Sequence, residues 1–94
     1  MKFLAIEEEI GGKSSSDFTP HLAPEAEHVW GLQKKGIIRE IYFDENHNAV
    51  LILECTDLEK AIAILDSLPL VKEGLIRFNI KTLYPYDGFE RLFK

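Results

Sequence analysis

Residues 56–85 constrain the fold more than any other part of the chain, because a helix, a proline-bounded exit and a strand follow one another there without a gap. Thr56-Asp57-Leu58-Glu59 has the form of a capping box, which predicts that a helix starts at about Asp57. Pro69 disfavours a helical residue before it and so ends the helix of residues 57–68. Within that helix one apolar stripe recurs at helical spacing, formed by Leu58, Ala61, Ile62, Leu65 and Leu68.

Residues 75–84 alternate in polarity, and this pattern predicts a half-buried strand. Its apolar face carries Ile76, Phe78, Ile80 and Tyr84 together with Thr82. Its polar face carries Arg77, Asn79 and Lys81.

The rest of the chain supplies three more strands and one more helix. The predicted strands cover residues 1–9, 37–43 and 49–55, the helix covers residues 20–35, and a tail covers residues 85–94. The order is strand, helix, strand, strand, helix, strand. With right-handed crossovers, this order predicts a single α+β domain over residues 1–94, with ferredoxin-like βαββαβ topology and a four-stranded antiparallel sheet. The first strand is expected in the centre of the sheet, and residues 11–19 are interpreted as a flexible loop, either a lid or a disordered crossing.

The two strands of the predicted hairpin are apolar in both registers. In the first strand, apolar residues 37, 41 and 43 lie on one face and apolar residues 38 and 42 on the other. In the second strand, apolar residues 50 and 52 lie on one face and 51 and 53 on the other. Such runs are typical of strands covered on both faces, whereas two helices cover only one face of a sheet. We therefore expect a second copy to cover the other face, giving a homodimer. A monomer with an unusually apolar sheet is the alternative. The tail, with its three large apolar side chains, is expected to dock on a neighbour or on its own subunit.

Composition excludes several classes of partner and cofactor. The net charge is −5 and the pI is about 5.1, which does not favour a nucleic-acid or anionic-membrane surface. The longest apolar runs are too short for a membrane span. Cys55 is the single cysteine, which fits a reducing cytoplasm. Without a Cys/His cluster, a phosphate loop or a dinucleotide fingerprint, we expect neither a metal nor a cofactor.

The C-terminal half resembles the muconolactone isomerase family. The residues that carry the resemblance run from Ala49 through Leu65 and Ser67-Leu68-Pro69-Leu70 to Tyr84-Pro85, in the family's order of strand, helix, exit and final strand. The resemblance implies a dimeric α+β barrel of two facing sheets, often built into larger rings. It also implies a cofactor-free proton shift in an unsaturated lactone. The Ser-Leu-Pro-Leu motif contains no catalytic group, so it carries over no catalytic residue.

Candidate catalytic residues follow from the chemistry that a proton shift needs, namely a base and an electrophile for the developing enolate. Arg39 lies among isoleucines in a strand expected to be buried, where a guanidinium would anchor a carboxylate or pair with a glutamate. Tyr42 offers a hydroxyl group at a similar depth, or it contributes only to packing. His28 is either a base facing a pocket between helix and sheet or a boundary histidine.

Two carboxylates complete the candidate set. Glu7 and Glu54 each end a strand, and because neighbouring antiparallel strands end in opposite directions, the two are not expected to form one dyad. Alternatively, each glutamate is only a solvent-exposed residue at the end of its strand. The sequence therefore predicts a small-molecule isomerase, with a non-catalytic small-ligand-binding or oligomer-forming barrel protein as the alternative.

Overall fold

The computed structural model describes residues 1–93 and forms a four-stranded antiparallel sheet in the order β2-β3-β1-β4. The strands are β1 (Lys2–Glu9), β2 (Ile38–Phe43), β3 (Ala49–Glu54) and β4 (Ile76–Leu83). The helices are α1 (Ser15–Phe18), α2 (Leu22–Lys34), α3 (Leu58–Asp66) and α4 (Pro69–Lys72), with 3-10 turns at Thr19–His21 and Gly88–Leu92. The strand order confirms the predicted α+β ferredoxin-like fold, with β1 and β3 in the centre. Lys94, the last residue of the predicted tail, lies outside the described residues.

The hydrophobic core lies between the helices and one face of the sheet. Phe3, Leu51 and Leu53 point from the central strands toward Leu32 of α2 and Leu65 of α3, and all five side chains are buried. Both long helices therefore pack on the same face. The strand alternation predicted for residues 75–84 is confirmed over β4, where every second side chain from Ile76 to Thr82 is less exposed than its neighbours.

The start of α3 differs from the predicted capping box by one residue. Asp57, not Thr56, is the N-cap, with an extended backbone and a carboxylate Oδ1 that accepts the Lys60 N–H at 2.8 Å. From the N-cap position the Asp57 carboxylate can accept a hydrogen bond from the unpaired backbone N–H groups of the first turn. The helix therefore begins at Leu58. Pro69 does end this helix, but it also begins α4 at the first helical position, where its missing N–H costs nothing.

The segment expected to be a flexible loop contains a short helix instead. Asp17 of α1 accepts hydrogen bonds from the backbone N–H of Ser14 at 2.8 Å and from the Ser14 hydroxyl at 3.2 Å. These bonds lower the pKa of the Asp17 carboxyl, and the charge of nearby Lys13 lowers it further. The side-chain bonds organise the crossing from β1 to α2 although its glycine and serine content is typical of a flexible linker.

A β-bulge changes which residues of β2 share a face. Ile38 pairs with Leu53 and Glu40 with Ile52, so Arg39 is the additional residue on β2. As a result Ile38 faces the helices together with Ile41 and Phe43, whereas uniform alternation would place it with Tyr42. The pairing of Tyr42 with Val50 puts Tyr42 on the opposite face of the sheet. The bulge was not predicted, because the sequence pattern contains no signal for it.

Candidate functional site

An open groove of about 930 Å³ lies between α2, the α1 segment and the end of the sheet next to the β2–β3 turn. Its helical wall is mainly apolar and includes Phe18, Leu22, Val29 and Trp30. Its sheet wall includes Ile41 and Phe43, which the bulge in β2 turns toward the helices. The volume is in the range of small-molecule sites.

The turn between β2 and β3 holds one rim of the groove in place. Asp44 Oδ1 accepts the backbone N–H groups of Asn46 and Asn48, both at 2.9 Å, which closes the turn. His47 has a positive φ of 63° and its ring stacks on Phe43 with 3.9 Å between the ring centroids. The predicted hairpin turn therefore also presents an imidazole to the groove.

Two half-buried glutamates line this apolar groove. Glu7, on the helix-covered face of β1, uses Oε1 to accept the backbone N–H of Ala49 at 3.0 Å. Glu25, in the first turn of α2, uses Oε1 to accept the backbone N–H of Leu70 at 3.0 Å. Among residues 1–93, the second oxygen of each carboxylate has no hydrogen-bond partner and is not fully buried. Each glutamate therefore keeps one oxygen available to a ligand.

Burial changes the acid strength of both carboxyl groups in the same direction. The pKa of Glu7 is raised mainly by desolvation, and the charges of Glu9 and Asp44 raise it further, while the Ala49 N–H opposes the shift. The pKa of Glu25 is also raised mainly by desolvation, and the charge of Glu7 adds to it, while the Leu70 N–H and His28 oppose the shift. Carboxyl groups with raised pKa values in an apolar groove are typical of general acids and bases.

Only part of the predicted catalytic set meets at this groove. Glu7 lines it, and Tyr42 borders it although its side chain lies on the other face of the sheet, whereas His28, Arg39 and Glu54 do not line it. The Tyr42 hydroxyl donates to Glu40 Oε1 at 2.7 Å, and this bond raises the tyrosine pKa. Glu7 and Glu54 lie at opposite ends of the paired strands β1 and β3, because Glu54 pairs with Lys2. The prediction that they do not form a dyad is therefore confirmed.

The remaining candidates have other partners. Arg39 is exposed on the edge strand, and its Nε donates to the Gly36 carbonyl at 2.7 Å, so the expectation of a buried guanidinium is wrong for this chain. The bulge at Arg39 and the edge position of β2 are the physical reason. His28 Nε2 lies 3.0 Å from the Ser67 hydroxyl at the end of α3. Glu54 accepts a hydrogen bond from the amino group of Met1, and this bond lowers the pKa of the Glu54 carboxyl group.

Glu25 was missed as a site residue although the sequence contains a signal for it. Leu22, Glu25, Val29 and Leu32 follow one another at helical spacing, so the carboxylate lies within the apolar stripe of α2. An acid in the first turn of a helix is common enough to be assigned to the helix dipole alone. Its contact with Leu70 depends on how α2 and α4 pack, which the stripe does not specify.

No three histidine, cysteine, aspartate or glutamate side chains within residues 1–93 are grouped so that they could hold a metal ion. In the same part of the chain, no helix is both long and apolar enough to cross a membrane.

The chain was compared with known proteins by sequence and by structure. It matches no protein-family model and no curated protein. Among solved structures it is similar to 5-chloro-2-hydroxyhydroquinone dehydrochlorinase (TftG) from Burkholderia phenoliruptrix AC1100, in complex with 2,5-dihydroxybenzoquinone. The TM-score is 0.64 at 17% sequence identity, covering 94% of this chain and 98% of that chain. At this identity the similarity supports the α+β fold and no more.

Proposed function

We propose that the chain is a cofactor-free enzyme that shifts a proton within a small unsaturated cyclic carbonyl compound, such as an unsaturated lactone. The observation that carries the proposal is the pair of half-buried glutamates, Glu7 and Glu25, on a mainly apolar groove. The resemblance to the muconolactone isomerase family supports this class of substrate, and the fold is shared with a dehydrochlorinase that acts on a hydroxylated ring.

The two glutamates would divide the chemistry between them. Glu7, as the carboxylate, takes a proton from carbon next to the carbonyl group, and the electron pair of that C–H bond moves into the enolate. Glu25, whose pKa is raised by desolvation and by the charge of Glu7, takes up a proton as the bound ligand excludes water from its carboxylate, and it then donates a hydrogen bond to the carbonyl oxygen. The proton on Glu7 then returns to the carbon at the far end of the conjugated system, which moves the double bond and restores the carboxylate.

The experiment that tests this proposal measures proton removal, not net turnover. The protein is incubated in D₂O with a panel of unsaturated lactones and cyclic enones, and deuterium incorporation at carbon is followed by NMR. Protein-dependent exchange at the carbon next to the carbonyl group is the expected result. If no compound in the panel exchanges faster with the protein than in buffer, the proposed activity is wrong.

A second candidate function is a binding protein that holds a small ligand in the groove without turning it over. The observation in its favour is that His28 and Arg39, the imidazole and guanidinium expected to take part in catalysis, bond to Ser67 and Gly36 instead of lining the groove. Saturable binding of a panel compound without deuterium exchange would favour this function over the isomerase.

We also propose that the protein works as a homodimer in which two sheets face each other. On the face that the helices leave open, Leu4, Ile6, Val50 and Ile52 form an apolar strip along the two central strands, and all four are half-buried. Sealing a few hundred Å² of such surface contributes several kcal/mol at roughly 25 cal/mol per Å². A second copy presents an identical strip, so a two-fold arrangement buries both.

The C-terminal tail is consistent with contacts between copies. Tyr84, Tyr86, Phe89, Leu92 and Phe93 are all exposed, with Phe93 82% exposed, although Tyr86 and Phe89 stack edge to face at 4.9 Å. Docking of the tail on its own subunit is thus not observed for residues 85–93, which leaves docking on a neighbour as the proposal. A larger ring and a cytoplasmic location remain predictions from the family resemblance and from the single Cys55.

A further inference from the structure

The groove carries more negative than positive charge. Three of the described residues that line it are carboxylates, Glu7, Glu9 and Glu25, and Lys13 is the single lysine or arginine among them. Lys13 is exposed in the segment before α1, where its charge also interacts with Asp17. Arg39, the residue expected to anchor a carboxylate, donates to the Gly36 carbonyl instead. A negatively charged ligand would therefore meet like charges in this groove and no guanidinium.

The hydrogen-bonding capacity of the groove indicates what a ligand must supply. Ionised glutamate only accepts hydrogen bonds, and Glu7 and Glu25 each retain one oxygen without a partner among residues 1–93. A hydrogen-bond donor stabilises a half-buried carboxylate oxygen. The hydroxyl groups of a ligand would therefore offset the free-energy cost of desolvating that oxygen. The apolar and aromatic walls, where Phe43 and Trp30 are 62% and 61% exposed, suit the faces of a flat ring.

We infer that the groove selects a hydroxyl-bearing ring without negative charge and discriminates against the corresponding carboxylate. This inference rests on the proposed function, since it concerns the same groove, but it names the charge class of the ligand independently of any turnover. It assigns Arg39 no role as a carboxylate anchor in this groove, which Arg39 does not line.

Three compounds with the same ring and different charges provide the test. A methylcatechol is uncharged, dihydroxyphenylacetate carries a negative charge and dopamine carries a positive charge at pH 7. Their dissociation constants are measured on the full chain by NMR titration under anaerobic conditions, which prevents oxidation of the catechols. We expect the methylcatechol to bind at least about tenfold more tightly than dihydroxyphenylacetate, which corresponds to about 1.4 kcal/mol.

Two variants separate an effect of the groove from an effect of net charge. Glu25→Gln removes one groove charge and keeps an acceptor oxygen for the Leu70 N–H, so the preference for the uncharged ring should shrink. Glu27→Gln makes the same change in net charge at an exposed position of α2 that does not line the groove, and it should leave the preference unchanged.

The possible outcomes are distinguishable from failure of the proposed activity, which deuterium exchange measures separately. Equal or tighter binding of dihydroxyphenylacetate overturns the inference even if exchange is observed. Absence of binding by all three compounds overturns it as well. Weaker binding of dopamine than of dihydroxyphenylacetate also overturns it, because a groove with more negative than positive charge should not favour the anion over the cation.

Discussion

The Glu25 carboxylate of α2 accepts the backbone N–H of Leu70 in α4 at 3.0 Å, so one helix supplies the hydrogen-bond acceptor for the first turn of another. The first N–H groups of a helix have no partner within it, and Pro69 and Leu70 begin a helix of only four residues. Glu25 is half-buried beside the groove, and desolvation there makes it costly to ionise although the Leu70 N–H favours the ionised form. A structural cap and a candidate acid are therefore the same side chain.

Replacing Glu25 should change stability in a pH-dependent way. Desolvation raises the folded-state pKa of Glu25 above its ordinary value, so the folded protein binds the proton more tightly than the unfolded chain. The free energy of unfolding therefore falls as pH rises from the unfolded pKa through the folded one. We expect Glu25→Gln to be more stable than wild type at pH 7 and to lose less stability between pH 4 and pH 7, measured by urea unfolding.

The matched variant Glu25→Ala separates the charge from the cap. Alanine leaves the Leu70 N–H without an acceptor, which costs about 0.5–2 kcal/mol at helix N-termini. It should therefore be less stable than Glu25→Gln at both pH values. Equal stability of the two variants would contradict the assignment of Glu25 as a cap.

Replacing Glu7 should abolish proton removal without loss of the fold. Glu7→Gln keeps an oxygen that can accept the Ala49 N–H but cannot act as a base. We expect deuterium exchange into a responsive lactone or enone to fall by about 10²–10⁴-fold, the usual contribution of a positioned base. Glu27→Gln is the control and should exchange at the wild-type rate. Wild-type exchange by Glu7→Gln would assign the base to another group.

A charge placed on the open face of the sheet should prevent self-association. Ile52→Lys puts an ammonium group in the centre of the apolar strip, and burying it against a second copy without a partner is unfavourable. We expect wild type to elute as a dimer and Ile52→Lys as a monomer in size-exclusion chromatography with light scattering.

The control for that experiment adds the same charge on the opposite side of the molecule. Ala63 is exposed on α3, so Ala63→Lys should remain dimeric. Circular dichroism shows whether both variants keep their secondary structure. A wild-type protein that is monomeric at micromolar concentration would refute the proposed dimer.

The leucines of the Ser-Leu-Pro-Leu exit should contribute to stability through packing. Leu68 is fully buried in the core, and truncation of such a leucine costs about 2–5 kcal/mol. We expect Leu68→Ala to lower the free energy of unfolding by that amount. Leu58→Ala, which removes the same atoms from a side chain 43% exposed, should cost less than about 1 kcal/mol. Similar losses in the two variants would contradict this account of the motif.

The order of elements and the faces of β4 and α3 could be predicted because they depend on local patterns. Alternation from Ile76 to Thr82 buries one face of β4. Of the predicted stripe, Ala61, Leu65 and Leu68 are buried, whereas Leu58 and Ile62 at its margin are exposed. Four strands and two long helices in this order, joined by right-handed crossovers, favour the ferredoxin-like sheet.

The candidate site was decided by contacts between residues distant in sequence. The bulge at Arg39 turns Ile41 and Phe43 toward the helices, and the packing of α2 on α4 brings Glu25 to Leu70 across 45 positions. Neither contact has a local signal, because a bulge is set by pairing with β3 and a cap by the approach of another helix. The sequence by itself determined which faces of the helices and strands are apolar. The tertiary structure decided which polar groups are buried together, because desolvation and the interaction between charges depend on distances that only packing fixes.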